Sequence, residues 1–115
     1  MSKKYLKKNE FRYDTNPAVR RPDGRGHVVY VSAKQGHNAK INVITHAKTF
    51  FDEPTIKLQR NPNRMSTYKS PSRFSIPVWE KDKYLITPEK GYWRLDKRDR
   101  IAIKKANKKY AKRRK

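Results

Sequence analysis

Apolar residues are dense at only one place in this chain, the stretch Gly26 to His46, which reads GHVVYVSAKQGHNAKINVITH. It constrains the fold more than any other feature, because so polar a chain has little else from which to build a core. Two β-branched runs, HVVYVSA and KINVITH, flank a polar segment containing Gly36. Runs of Val, Ile, Thr and Tyr around a Gly/Asn-containing turn are the mark of a β-hairpin. A two-residue turn at Gly36-His37, with glycine at its first central position, predicts type II′ geometry. The register that follows sets Val29 against Ile44, Tyr30 against Val43, Val31 against Asn42 and His27 against His46. One face then carries His27, Val29, Val31, Asn42, Ile44 and His46. The other carries Val28, Tyr30, Ser32, Ile41, Val43 and Thr45. Both faces are apolar at mid-strand, which places the hairpin at the centre of a sandwich or small barrel.

The flanks are basic, proline-punctuated or both. Residues 1–21 hold seven basic and two acidic residues with no helix or strand periodicity, and are expected to form a flexible basic arm. Arg20 to Gly26 is a turn cluster, where Pro22 sets φ and Gly24 and Gly26 allow positive φ. It matches neither a P-loop nor a dinucleotide fingerprint. After the hairpin, Ala47 to Glu53 reads as a connector with Phe50-Phe51 exposed. Thr55 to Gln59 alternates as an edge-like strand with Ile56 and Leu58 inward, closed by the turn Asn61-Pro62-Asn63. Residues 64–73 read as a loop, and Phe74 to Trp79 as a short strand that Pro77 confines to an edge. Tyr84-Leu85-Ile86 and Tyr92 to Leu95, separated by the turn Pro88 to Gly91, either add a last strand or cover a barrel mouth. Asp96 is a helix N-cap, with Asp99 a second acid near the positive end of the helix dipole. Ala102, Ala106 and Tyr110, joined by Ile103, form a thin apolar stripe on a helix of about four turns. The expected fold is mainly β, a small barrel or sandwich with an SH3-like barrel among the candidates. That domain covers residues 22–95, between the basic arm 1–21 and a basic C-terminal helix and tail over 96–115.

The net charge of +21, from thirty-one Lys and Arg against ten Asp and Glu, directs the chain toward polyanions. Hydrophobic residues make up 34%, which implies a small core, while 11% aromatic residues argue against wholesale disorder. The absence of cysteine excludes disulfides and Cys-based zinc sites, and fits a reducing compartment. No apolar run approaches the roughly 20 residues of a membrane-spanning helix. The basic N-terminus is not followed by an apolar signal region. A cytoplasmic protein, free or associated with nucleoid or ribosome, is expected.

No metal and no cofactor are expected, since neither HExxH nor carboxylates at ligand spacing occur. There is no G-x-S-x-G and no serine triad. Asp96 and Asp99 sit at a helix start, and Glu80 and Asp82 are interleaved with Lys81 and Lys83, so these acids read as local. In the register above, His27 and His46 meet at the open end of the hairpin beside Arg25, Lys48 and Thr45. Such a pair could serve as base and acid in RNA cleavage. The plainer reading is of polar residues at strand ends. His37, at the turn tip, reads as exposed.

The strongest signal is cationic. From Lys97 to the end there are eleven basic residues and one acid. Lys97, Arg98, Arg100, Lys104, Lys105, Lys108, Lys109, Lys112, Arg113, Arg114 and Lys115 are candidate phosphate contacts. So are Lys3, Lys4, Lys7, Lys8, Arg20 and Arg21 in the arm, with Arg25, Lys34, Lys40 and Lys48 orienting the ligand around the hairpin. Neutralising several phosphates gives tight, salt-sensitive, mostly non-specific binding to DNA or RNA. Membrane insertion is not expected, because the helical stripe lacks a large apolar face. Tyr30, Trp79 and Trp93 read as core or rim residues, whereas Phe50-Phe51 and Tyr68 lie in polar context and could stack on bases.

The segment GHVVYVSAKQGHNAKINVITHAKTF, followed by IKLQRNPN, resembles a pattern in small basic proteins of Gram-positive plasmids, integrative elements and phages. The pattern runs GHxxYVxxKxG, then ITH, then IKLxxNPN. It covers about residues 26–63, and the basic helical end is similar in character. The resemblance implies an accessory protein of a mobile element and brings no established activity. In architecture alone, the strand–turn–strand order is also similar to the SH3-like barrel of PemK/MazF-type toxin endoribonucleases, without a matching active-site motif. Three function classes follow. The favoured one is a non-enzymatic nucleic-acid-binding protein. The others are an endoribonuclease centred on His27 and His46, and a structural ribonucleoprotein component.

Overall fold

The computed structural model describes residues 9–19, 26–66, 71–88 and 93–113. The expected class holds: an antiparallel β structure followed by a C-terminal helix. The central hairpin pairs β2 (His27–Gln35) with β3 (Asn38–Thr45). Gly36 turns it with φ of +59°, a left-handed conformation that glycine takes without a Cβ penalty.

Near the turn the pairing is the expected one, Gln35 with Asn38, Lys34 with Ala39 and Ala33 with Lys40. Ser32 is then an extra residue. Beyond it Val31 pairs with Ile41, Tyr30 with Asn42 and Val29 with Val43, one residue out of the expected register. This is a β-bulge. Ser32 Oγ donates to the Lys40 carbonyl at 3.1 Å, so the side chain takes up a backbone group of the partner strand at the irregularity. A one-residue slip exchanges faces. Val29 and Val31 therefore share a core cluster with Ala39, Ile41 and Val43, not with Asn42 and Ile44. Tyr30 shares the opposite cluster with Ile44, Phe11, Leu58, Phe74, Leu95 and Ile103. Both faces are buried as expected, but the partition between them is corrected.

The expected loose arm includes a strand. β1 (Phe11–Asp14) pairs with β2 through Phe11–Tyr30 and Asp14–His27. Its periodicity is hidden because polar residues lie inside: Arg12 is 1% exposed and Asp14 0%. Arg12 is bound to Glu10, with Nη2 at 2.7 Å from its carboxylate. The preceding residues 1–8 and the Arg20–Arg25 turn cluster lie outside the described residues. Gly26 does not take positive φ. It is required because a Cβ there would lie 2.1 Å from the Asp14 carbonyl oxygen.

The connector after β3 is a small hairpin of β4 (Thr49–Phe50) and β5 (Glu53–Pro54). Phe51 and Asp52 both have positive φ, 54° and 59°, the pattern of a type I′ turn. Phe50 and Phe51 are half-buried against the Val29–Val43 cluster rather than exposed. In β6 (Ile56–Lys57), Leu58 beyond the strand end is buried, but Ile56 is 46% exposed, not inward. β7 (Arg73–Phe74) and β8 (Val78–Lys81) both pair with β3, on either side of a break at Ser75–Pro77. The proline thus interrupts the line of strand instead of merely marking its edge. β9 (Leu85–Pro88) pairs with β1 after a 3₁₀ turn at Asp82–Tyr84. Val78 of β8 and Leu85 of β9 pack on one cluster although their strands pair on opposite sides of the β1–β2–β3 unit. The sheet is therefore curled into a small open barrel.

Helix α1 (Lys97–Arg113) lies against the outer cluster. Asp96 caps it, with the Arg98 N–H donating to Oδ1 at 2.9 Å. Asp99 faces inward and accepts the Gln59 and Arg60 N–H groups at 2.7 and 3.1 Å, tying the first turn to the segment after β6. The buried row is Asp99, Ile103 and Asn107, while the expected stripe Ala102, Ala106 and Tyr110 is only half-buried beside it. Asn107 and Asn42 exchange two amide hydrogen bonds, at 2.8 and 3.1 Å. Asn42 also donates to the Ser75 carbonyl, and Asn107 to Ser32 Oγ at the bulge. Replacing Asn107 by Ala removes the donor to the buried Asn42 Oδ1 and the acceptor of one Asn42 amide hydrogen. Urea unfolding of Asn107→Ala is expected to show a loss of about 1–3 kcal/mol. An unchanged midpoint would refute a structural role for the pair.

Candidate nucleic-acid interface

The helix that docks on the sheet also presents the densest charge. With Asp99, Ile103 and Asn107 turned inward, Lys104, Lys105, Lys108, Lys109 and Lys112 are exposed. No acidic residue follows Asp99 in the chain. At the helix start Lys97, Arg98 and Arg100 are exposed, and Arg98 Nε donates to Asp96 Oδ1 at 3.1 Å. That contact, with the Arg98 N–H, holds the Asp96 carboxyl below its usual range. Arg100, Lys104 and Lys108 recur every fourth residue and so form one row along the helix. They border a hollow of about 530 Å³ between α1 and the β2–β3 hairpin. Lys40 lines the same hollow, with Tyr30, Ser32 and Asn107. Burial raises the Tyr30 hydroxyl pKa above its ordinary value, and that hydroxyl donates to Asn9 Oδ1 at 2.6 Å.

Of the four cations assigned to orient a ligand around the hairpin, the three described ones, Lys34, Lys40 and Lys48, are not one cluster. Lys34 is exposed near the turn tip, and Lys48 is exposed beyond the other end of β3. Of these three, Lys40 alone joins the helix row. Arg25, Arg20, Arg21, Lys3, Lys4, Lys7, Lys8, Arg114, Lys115 and Tyr68 lie outside the described residues. Arg113 is the last residue of α1.

Trp79, read from sequence as core or rim, is 52% exposed. The reason is the inversion of β8. Val78 packs on the inner cluster, so its alternate neighbour Glu80 also turns inward and Trp79 turns out. Trp79 pairs with Lys40 across the β3–β8 ladder, and Lys40 Nζ lies 5.8 Å from its ring centroid. The alternation of Val78 and Glu80 carried this signal, but a buried glutamate is the less common choice. Trp93, by contrast, is half-buried and packs against Phe11 at 5.4 Å between ring centroids.

The bulge moves His27 out of register with His46. The His27 Nδ1–H donates to the Val19 carbonyl at 2.6 Å, and the ring meets Phe50 edge-on at 5.3 Å. His46 is exposed and its Nδ1–H donates to the Pro71 carbonyl at 3.1 Å. Both imidazoles nonetheless border one cleft of about 530 Å³, with Tyr13, Asn61 and Asn63. His37 is exposed at the turn tip, with Nδ1 3.4 Å from Asp82. Among the described residues no three His, Asp or Glu side chains come together to hold a metal. No helix among them is long and apolar enough to cross a membrane.

Glu80, expected to be a local acid among Lys81 and Lys83, instead meets Asp14 inside the curled sheet. Asp14 of β1 and Glu80 of β8 are both buried. The Asn16 side-chain amide donates to both Glu80 oxygens at 3.1 Å, and the Lys81 N–H donates to Oε1 at 3.0 Å. Asp14 Oδ1 accepts the Asn16 N–H at 2.8 Å, but its Oδ2 meets no N–H or hydroxyl donor. Burial, then hydrogen bonding with Glu80, raises the Asp14 pKa from 3.8 to about 8. A proton on Asp14, donated to Glu80, satisfies the orphaned oxygen. Because the folded state holds this proton more tightly than the unfolded chain, the contribution to stability is full below pH 3.8 and is lost as pH rises toward about 8. Asp14→Asn mimics the protonated form. Its urea midpoint is expected to fall less than that of the wild type as pH rises from 3.8 to about 8. Parallel profiles would refute the shared proton.

No protein-family model, no curated protein and no solved structure matches this chain.

Proposed function

We propose that this chain is a non-enzymatic nucleic-acid-binding protein that grips the phosphate backbone through α1. The observation that carries this reading is the orientation of the helix. Its acid, Asp99, is turned inward and consumed by two backbone N–H groups, while Lys104, Lys105, Lys108, Lys109 and Lys112 face solvent. The net charge of +21 supplies the long-range attraction. The resemblance of residues 26–63 to small basic proteins of plasmids, integrative elements and phages supports an accessory role in a mobile element. A structural ribonucleoprotein role draws on the same surface. Sequencing the nucleic acid that copurifies at low salt separates the two, through ribosomal RNA in one case and DNA in the other.

Gel shifts in rising salt test the main reading. Log affinity should fall linearly with log salt, by about 0.9 per phosphate neutralised on duplex DNA. The double variant Lys104→Gln/Lys108→Gln should bind more weakly and flatten that slope by about 2. No binding at low salt, or salt-insensitive binding, would sink the proposal.

The cleft shared by His27 and His46 favours a second reading, an endoribonuclease of the PemK/MazF type. Incubating RNA with the wild type and with His46→Ala decides it. Cleavage that disappears in the variant supports the enzyme, and intact RNA in both removes it.

A further inference from the structure

We infer that the exposed Trp79 ring and the groove beside it form a base-stacking platform, so that the ligand is a single strand of nucleic acid and not a duplex; this rests on the nucleic-acid reading above. Trp79 is the one exposed aromatic among the large hydrophobic residues of the described surface, at 52%. Its exposure is imposed by the strand, because the inward positions of β8 are taken by Val78 and Glu80. A ring held in water beside a cation meets the two requirements for single-strand binding, a π-surface for a base and a positive charge for its phosphate. Lys40, 5.8 Å from the ring centroid, supplies that charge.

The geometry around the ring extends the argument. Trp79 borders a cleft of about 360 Å³, with Pro77 from the strand break and Tyr110 from the last turns of α1. That volume is near the lower end of small-molecule sites, about 300–1,000 Å³, and suits a group the size of one base. Lys40, Asn107 and Ala111 line both this cleft and the hollow bordered by Arg100, Lys104 and Lys108, so the two adjoin. The row of cations rises about 6 Å per step along the helix. An extended strand laid in this trough can place a base on Trp79 while its phosphates follow the row. In a duplex the faces of the bases are covered by their neighbours, and the platform has nothing to bind. Stacking and phosphate contacts read neither base identity nor the 2′-hydroxyl, so DNA and RNA strands are expected to bind alike.

The test uses the full chain with labelled oligo-dT, oligo-U and a DNA duplex of the same length at low salt. Both single strands should bind more tightly than the duplex and quench tryptophan emission. Trp79→Ala should weaken single-strand binding about ten-fold, the effect of losing one stacked base, and leave duplex binding unchanged. Trp79→Phe should keep most of the affinity while losing most of the quench. Duplex bound as tightly as either strand, or single-strand affinity unchanged in Trp79→Ala, overturns the platform. If salt-sensitive binding persists in that case, phosphate binding by the helix still stands. No binding of any probe overturns both.

Discussion

The exchange of amide hydrogen bonds between Asn42 and Asn107 is the contact on which the placement of the helix depends. A helix so rich in Lys and Arg is self-repelling, and it offers the sheet little apolar surface. Ile103 is the only buried apolar side chain among the described residues of α1. Burying one such side chain is worth about 1.5–3 kcal/mol, which leaves orientation weakly specified. Two mutual amide bonds, extended to Ser75 and to Ser32 at the bulge, specify it in a way that a single isoleucine cannot. Asp99 performs the same task one end further along, binding two N–H groups after β6. Polar contacts of fixed direction thus determine which face of a nearly all-cationic helix meets solvent.

The same economy of apolar material explains the inside of the sheet. Arg12, Asp14 and Glu80 are buried in positions that a more hydrophobic chain would fill with Val or Leu. Each brings its own partner: Glu10 for Arg12, the Asn16 amide for Glu80, and a proton for Asp14. Turning Glu80 inward turns Trp79 outward. A structural compromise in the core and an exposed aromatic ring on the surface are therefore two sides of one strand.

The hairpin was legible because β-branched runs around a glycine turn admit few alternatives. The Asp96 cap and the helix after it were legible because local chemistry, a short acid accepting from nearby N–H groups, sets helix starts. The bulge at Ser32 was not. There Ser32 meets the Lys40 carbonyl on the opposite strand and Asn107 on a helix 75 residues away, and neither contact is visible in local pattern. β1 escaped notice because Arg12 and Asp14 lie on the buried side, which inverts the expected alternation. The candidate site divides in the same way. Lys104 to Lys112 could be named from charge alone. Trp79 could be named only by placing Glu80 inside, and the partners that allow this, Asn16 and Asp14, lie far off in sequence.

By itself the sequence determined that the chain has a small β core around residues 26–46, a capped helix at its end and a strongly positive net charge. These follow from composition and from interactions within a few residues of one another. Only the tertiary structure decided which cations gather, which aromatic meets water and which acid keeps its proton. Each depends on desolvation and on hydrogen bonds between segments brought together by folding. One inserted residue at Ser32 is enough to exchange the faces of a strand. It is also enough to separate His27 from the register of His46, while Lys40 remains paired with Trp79 beside the basic helix.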